Sequence, residues 1–124
     1  MELEKIDPFC TVKPELKSRS LLTEDQAMAL ERTFKILANT TRLRILHALF
    51  LSEEICVSEL AEILAMKPTA VSNQLLRLTF SGIIESRRDG NQIYYRVIDP
   101  CVVKLLDSAW CLTEDAEVRV QKRK

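Results

Sequence analysis

The sequence predicts a small, mainly α-helical domain carrying a single β-hairpin. Two observations carry that prediction. Apolar residues recur at helical spacing in five separate runs, and one stretch alone, from Ile83 to Val97, alternates with period two around Asp89-Gly90. The 124 residues suit one domain with tails: an N-terminal arm over 1–20, a folded domain over 21–117 and a basic C-terminal tail over 118–124.

The arm holds Pro8, Pro14 and Cys10 without periodicity. Thr23 then offers an N-cap, with Glu24, Asp25 and Gln26 in the first turn and Ala27, Leu30, Phe34, Leu37 and Ala38 as the apolar stripe, so a first helix is expected over about 23–38. Asn39-Thr40-Thr41-Arg42 caps a second helix built on Leu43, Leu46, Leu49 and Phe50, and His47 falls among its core positions. A short third helix runs from about Ser58 to Ala65. After Lys67-Pro68-Thr69 a fourth spans about Thr69 to Phe80, with Gly82 where a helix-ending glycine belongs. Ile84, Ser86 and Arg88 precede Asp89-Gly90, and Ile93, Tyr95 and Val97 follow it. An Asp-Gly pair between two such runs predicts a two-stranded ribbon, because a type I′ turn needs positive φ at both central residues. Pro100 opens a last helix with Val102, Val103, Leu105, Leu106, Ala109 and Leu112 apolar.

Composition narrows the function classes. Lysine plus arginine equal aspartate plus glutamate, so overall charge does not point to nucleic acid. Its distribution does. Between Lys67 and Arg96 five cations face two carboxylates, a surplus of about three, whereas Asp99 to Glu117 is acidic. No apolar run reaches the roughly 20 residues of a membrane span, and no signal peptide is evident, so a cytoplasmic protein without a membrane partner is expected. One histidine, no glycine-rich phosphate loop, no nucleophile motif and no paired carboxylates in a plausible pocket argue against an enzyme.

Helix, short turn and helix from Ser58 to Phe80 is the helix-turn-helix layout, whose second helix enters the major groove of DNA. Ala61 allows close approach of the two helices, Ala65 is small at the turn, and Val71 anchors the second helix in the core. Its expected outward face carries Thr69, Ser72, Asn73, Gln74 and Arg77, preceded by Lys67; these side chains bond phosphates or base edges. The ribbon tip adds Arg87, Arg88, Asn91 and Gln92, placed to reach backbone or minor groove. Helix-turn-helix plus ribbon makes a winged helix in the order α1-α2-α3-α4-β-β-α5.

Four segments carry a resemblance: Leu37 to Leu46 (LANTTRLRIL), Ile55 to Ala61 (ICVSELA), Thr69 to Leu75 (TAVSNQL) and Gly90 to Tyr95 (GNQIYY). Together they resemble the ArsR/SmtB family of metal- and arsenic-responsive repressors over about residues 23–112. The resemblance implies a homodimer formed by the first and last helices, an inverted-repeat operator, and release of that operator when an inducer binds.

Within that resemblance the cysteines Cys10, Cys56, Cys101 and Cys111 become candidate ligands. Cys56 stands where metal-sensing relatives often have a thiolate, and Cys10 is the one candidate partner on the arm, with Glu59 the nearest further donor. Thiolates select soft ions, here of the cadmium, lead, mercury or arsenite class. The family's second site, across paired last helices, is matched by Asp99 and Cys101 but poorly by Leu112 and Asp115, which makes zinc the weaker candidate. Cys101 and Cys111 lie ten residues apart, about 15 Å along a helix, too far to share an ion within one chain but not across a dimer with antiparallel helices. A repressor of the same fold that responds to thiol oxidation or reactive sulfur, through Cys111 approaching Cys56, is the alternative. Each cysteine also has a plain structural reading as a buried small hydrophobe.

Overall fold

A computed structural model describes residues 13–123 of the chain. After a 3-10 turn at Leu16–Ser18 the order is α1 (Glu24–Leu37), α2 (Thr40–Ser52), β1 (Ile55–Cys56), α3 (Val57–Leu64), α4 (Pro68–Phe80), β2 (Ile84–Asp89), β3 (Gln92–Val97) and α5 (Pro100–Arg123).

The caps set these boundaries. Thr23 Oγ1 accepts from the Gln26 N–H at 3.1 Å while Gln26 Oε1 accepts from the Thr23 N–H at 2.9 Å, a reciprocal capping box. Asn39 Oδ1 accepts from the Arg42 N–H at 3.0 Å and starts α2. Pro68, expected to interrupt, in fact occupies the first turn of α4, where its missing N–H costs nothing. The end of α4 is a Schellman motif: Gly82, at φ +82°, donates to Thr79 O at 3.0 Å, and Ile83 donates to Leu78 O at 3.3 Å. Asp99 Oδ1 accepts from the Cys101 N–H at 2.8 Å and caps α5.

The sheet has three antiparallel strands in the order β1-β3-β2, not two. The extra strand is only Ile55–Cys56, too short for any periodicity to announce it. In the hairpin Asp89 pairs with Gln92, so the central turn residues are Gly90 and Asn91, one position later than Asp89-Gly90 implied. Only Gly90 has positive φ, at +65°, which is what a type II′ turn asks of its first central residue. Ile84, Ser86 and Arg88 pair with Val97, Tyr95 and Ile93 on one face. That face meets the core at its Ile84 end; Arg87 and Tyr94 share the other.

The core joins one stripe from each of α2, α3 and α4 with this sheet. Ile45, Leu46, Leu60, Val71, Leu75 and Leu78 are wholly buried, and Leu49, Ile55, Ile84 and Val102 nearly so. Removing any one fully buried leucine to alanine costs roughly 2–5 kcal/mol by the usual cavity penalty.

The terminal helices behave differently. Of the α1 stripe only Leu37 is buried, and Leu30 and Phe34 stay exposed; α5 buries Val102 but leaves Trp110 and Leu112 open. Between α2 and α5 lies a cavity of about 510 Å³ lined by Leu43, His47, Phe50, Leu106, Asp107, Ala109, Trp110 and Thr113. His47 is therefore not a core residue: it is exposed, one turn from Leu43 on the α2 face turned to this cavity. Helix α5 also continues without a break through Arg123, so Arg119, Lys122 and Arg123 of the expected tail ride on its last turns. Among the described residues no helix is long and apolar enough to cross a membrane.

Candidate nucleic-acid interface and thiol positions

The turn between α3 and α4 fixes the reading helix. Ala65 stands in the left-handed region at φ 56°, ψ 47°, and the Met66 N–H donates to Ala61 O at 2.9 Å, so α3 stops sharply and the chain re-enters a helix within three residues. Val71, Leu75 and Leu78 then bury one side of α4 against α2 and α3.

A helix advances 100° per residue, so a face holding Val71, Leu75 and Leu78 inward turns Thr69, Ser72, Asn73, Leu76, Arg77 and Phe80 outward. All six are exposed. Gln74 is the exception among the expected contacts. It falls on the core half of α4, is half-buried, and its Oε1 is buried with no hydrogen-bond partner among the described residues. Conversely, Leu76 at 55% and Phe80 at 83% exposure put apolar surface into a face expected to be polar. The same 100° step would have found both, had the core stripe been fixed first.

Ion pairs sort the local cations. Arg96 Nε donates to Glu85 Oε1 at 2.7 Å across the hairpin. Arg87 has a carboxylate partner that the sequence did not announce: Nη2 and Nε donate to the two carboxylate oxygens of Glu54 at 2.6 and 2.9 Å, while the side chain stays half exposed. Glu54 is 33 residues away in sequence, and no spacing rule predicts that pair. The fork of donors holds the Glu54 carboxyl below its ordinary value and raises the Arg87 guanidinium further. Lys67, Arg77 and Arg88 enter no ion pair among the described residues, and all are exposed. Of the cations between Lys67 and Arg96, those left uncommitted thus lie before α4, on α4 and on the wing. Asn91 and Gln92 are exposed at the wing tip.

A winged helix-turn-helix with free cations on the second helix and the wing has the form of a DNA-reading domain. Residues 39–86 match the model of the bacterial regulatory proteins of the arsR family. The cadmium resistance transcriptional regulatory protein CadC of Listeria innocua is 30% identical over 91 residues, covering 73% of this chain and 76% of that protein. The chain belongs to the ArsR family. The crystal structure of the antimony-specific transcriptional repressor AntR superposes with a TM-score of 0.73 at 50% identity, over 87% of this chain and 97% of AntR. A homodimeric winged helix-turn-helix domain from Mycobacterium bovis, a possible ArsR-family regulator, superposes at 0.65 with 30% identity, over 79% of this chain and 93% of that domain. As an ArsR-family member the chain is a DNA-binding transcriptional repressor, and the relatives it matches are regulators, not enzymes.

The thiols of this ArsR-family chain are dispersed. Cys56 is buried at 4% exposure; its Sγ donates to Glu59 Oε1 at 3.1 Å and lies 3.3 Å from Ser58 Oγ. Cys111 is a free, exposed thiol, 3.8 Å from Asp115 Oδ2. Cys101 is exposed on the first turn of α5 and is not a free thiol. Cys10 lies outside the described residues. Among the described residues no three histidine, cysteine or carboxylate side chains converge as a metal site. Cys56 lies before α3 and Cys111 on α5, so the geometry joins Glu59 to Cys56 but not Cys111.

Proposed function

We propose that the protein is a homodimeric, cytoplasmic repressor that binds an inverted-repeat operator and leaves it when a soft metal or metalloid ion is held by cysteine thiolates. The observation that carries the DNA half is the outward face of α4 together with three unpaired cations. Thr69, Ser72, Asn73 and Arg77 meet the major groove, Lys67 a flanking phosphate, and Arg88, Asn91 and Gln92 the backbone or minor groove beside it. Leu76, at the centre of that face, meets a thymine methyl. The dimer half rests on α1 and α5, whose open apolar faces need a cover that a second copy supplies, and on the homodimeric state of the Mycobacterium bovis neighbour.

The inducer half rests on similarity to regulators named for cadmium and antimony and on four cysteines in one short chain. Soft ions prefer sulfur. Since no complete ligand set converges within the described part of one chain, the ion is held either by Cys56 with Cys10 of the arm or by Cys101 and Cys111 across two copies, Cys101 taking part once its sulfur is reduced to the thiol. A bound ion lowers operator affinity only by as much as it favours the conformation that binds DNA poorly.

The test is fluorescence anisotropy of the reduced protein on operator DNA, titrated with cadmium, lead, arsenite, antimonite, zinc and a polysulfide, for wild type and each Cys→Ser variant. Release by a soft ion that is lost in one or more of those variants supports the reading. Release by polysulfide alone reassigns the protein to thiol-redox control. Asn73→Ala with Arg77→Ala should abolish specific binding; unchanged affinity would remove α4 from the interface.

A further inference from the structure

Helix α2 ends at Ser52, and the chain must reverse into β1 within two residues. It does so through a tight three-residue turn: Glu53 stands at φ 64°, ψ −52°, and the Glu54 N–H donates to Ser52 O at 2.6 Å. This is the strained form of the γ-turn, rarely adopted by a residue other than glycine. From it the Glu54 carboxylate reaches the wing and receives the Arg87 guanidinium in a two-pronged grip at 2.6 and 2.9 Å. Asp89 Oδ2 approaches Arg87 Nη1 to 3.6 Å, and the Tyr94 ring lies beneath, its centroid 5.1 Å from Arg87 Cζ. Tyr94 is the cross-strand neighbour of Arg87 on one side and of Cys56 on the other. Two oxygens presented side by side to a guanidinium fork are also what a DNA phosphate offers.

We propose that Glu54 is a built-in phosphate surrogate that occupies Arg87 and so limits how tightly the wing grips DNA of any sequence. The inference rests on the reading of α4 and the wing as a DNA-binding face. Arg88, the next residue, projects from the opposite face of β2 and has no ion pair among the described residues, so it keeps its charge for DNA. The Glu54 carboxylate has two advantages over an incoming phosphate. It is tethered to the same fold, so no counterpart has to be recruited from solution, and Asp89 and Tyr94 favour the same guanidinium position. A repressor gains discrimination from such a brake: phosphate contacts add affinity for all DNA alike, and only base contacts distinguish an operator.

The test compares wild type, Glu54→Gln, Arg87→Gln and the double variant on a labelled mixed-sequence duplex by anisotropy, from about 50 to 200 mM salt. Circular dichroism confirms that each folds. Glu54→Gln keeps the side-chain shape, releases Arg87, and should tighten binding several-fold at low salt. It should also steepen the dependence of log affinity on log salt by about one per chain, the signature of one added phosphate contact. Arg87→Gln alone should bind no tighter than wild type, since it leaves the Glu54 charge unpaired, and should keep the wild-type salt slope; the double variant, neutral again at both positions, should match wild type.

Three results overturn the proposal: no change in Glu54→Gln; a double variant that keeps the gain, which would assign the effect to the Glu54 charge alone; or a shallower salt slope in Arg87→Gln, which would show Arg87 already on phosphate. In each of them wild type still binds DNA through Asn73 and Arg77, so the DNA reading survives. Failure of wild type to bind any duplex overturns both.

Discussion

The Cys56 thiol donates to Glu59 Oε1 across 3.1 Å, and the Cys56 N–H points at the same oxygen at 3.5 Å. One carboxylate therefore receives both polar hydrogens of the residue that opens α3. Serine at position 56 preserves that arrangement and is itself a preferred N-cap, whereas alanine loses it and leaves a small void. Cys56→Ala should cost about 1–2 kcal/mol, and Cys56→Ser less than about 1 kcal/mol, in urea unfolding. Equal losses in both would mean that the thiol is held by packing and not by Glu59.

Ala65 carries a left-handed backbone conformation that disfavours any side chain with a Cβ. Ala65→Gly relieves that conflict at the turn between α3 and α4. An increase in stability of about 1 kcal/mol is expected, reduced in part by the greater freedom of glycine in the unfolded chain. A fall in melting temperature would show that the Ala65 methyl packs usefully against its neighbours.

The Glu54 carboxyl is held below its ordinary value of 4.5 chiefly by the hydrogen bond from Arg87. A carboxyl whose folded value is depressed stabilises the fold above its unfolded value and loses that contribution as pH falls through the folded one. Wild type should therefore lose, as pH falls below the ordinary carboxyl value of 4.5, a small increment of stability that Glu54→Gln never had. Parallel melting curves across that fall would place the pair's attraction at zero, the lower limit for exposed ion pairs.

Trp110 is the sole tryptophan of the chain and is 62% exposed beside the cavity between α2 and α5. If a second copy covers this face, its emission should shift to the blue with rising protein concentration, in step with dimer formation seen by sedimentation. Phe34→Glu places a charge on the open stripe of α1 and should raise the dimer dissociation constant by about a hundredfold or more. A dimer unaffected by it uses some other surface.

Leu76 is 55% exposed at the centre of the outward face of α4. Leu76→Ala should leave stability within about 0.5 kcal/mol, as surface changes do. It should weaken operator binding by about 1 kcal/mol or more without altering the salt slope, since a methyl contact releases no counterion. A changed slope would instead mean that the substitution moves Arg77 or Lys67 relative to phosphate.

Much of this molecule was legible in the sequence because its signals are local. Helix caps at Thr23 and Asn39, the stop at Gly82 and the alternation on either side of Gly90 act within four or five residues, and the period of the apolar positions follows from backbone geometry alone. They determined five helices, a hairpin and the place of the reading helix. Only the tertiary structure decided what depends on residues distant in sequence: the third strand at Ile55–Cys56, the exposed placement of His47 and the capture of Arg87 by Glu54. Cross-strand register and ion pairing are fixed by how whole elements pack, and a guanidinium has the same sequence signature whether it waits for a phosphate or already holds a carboxylate.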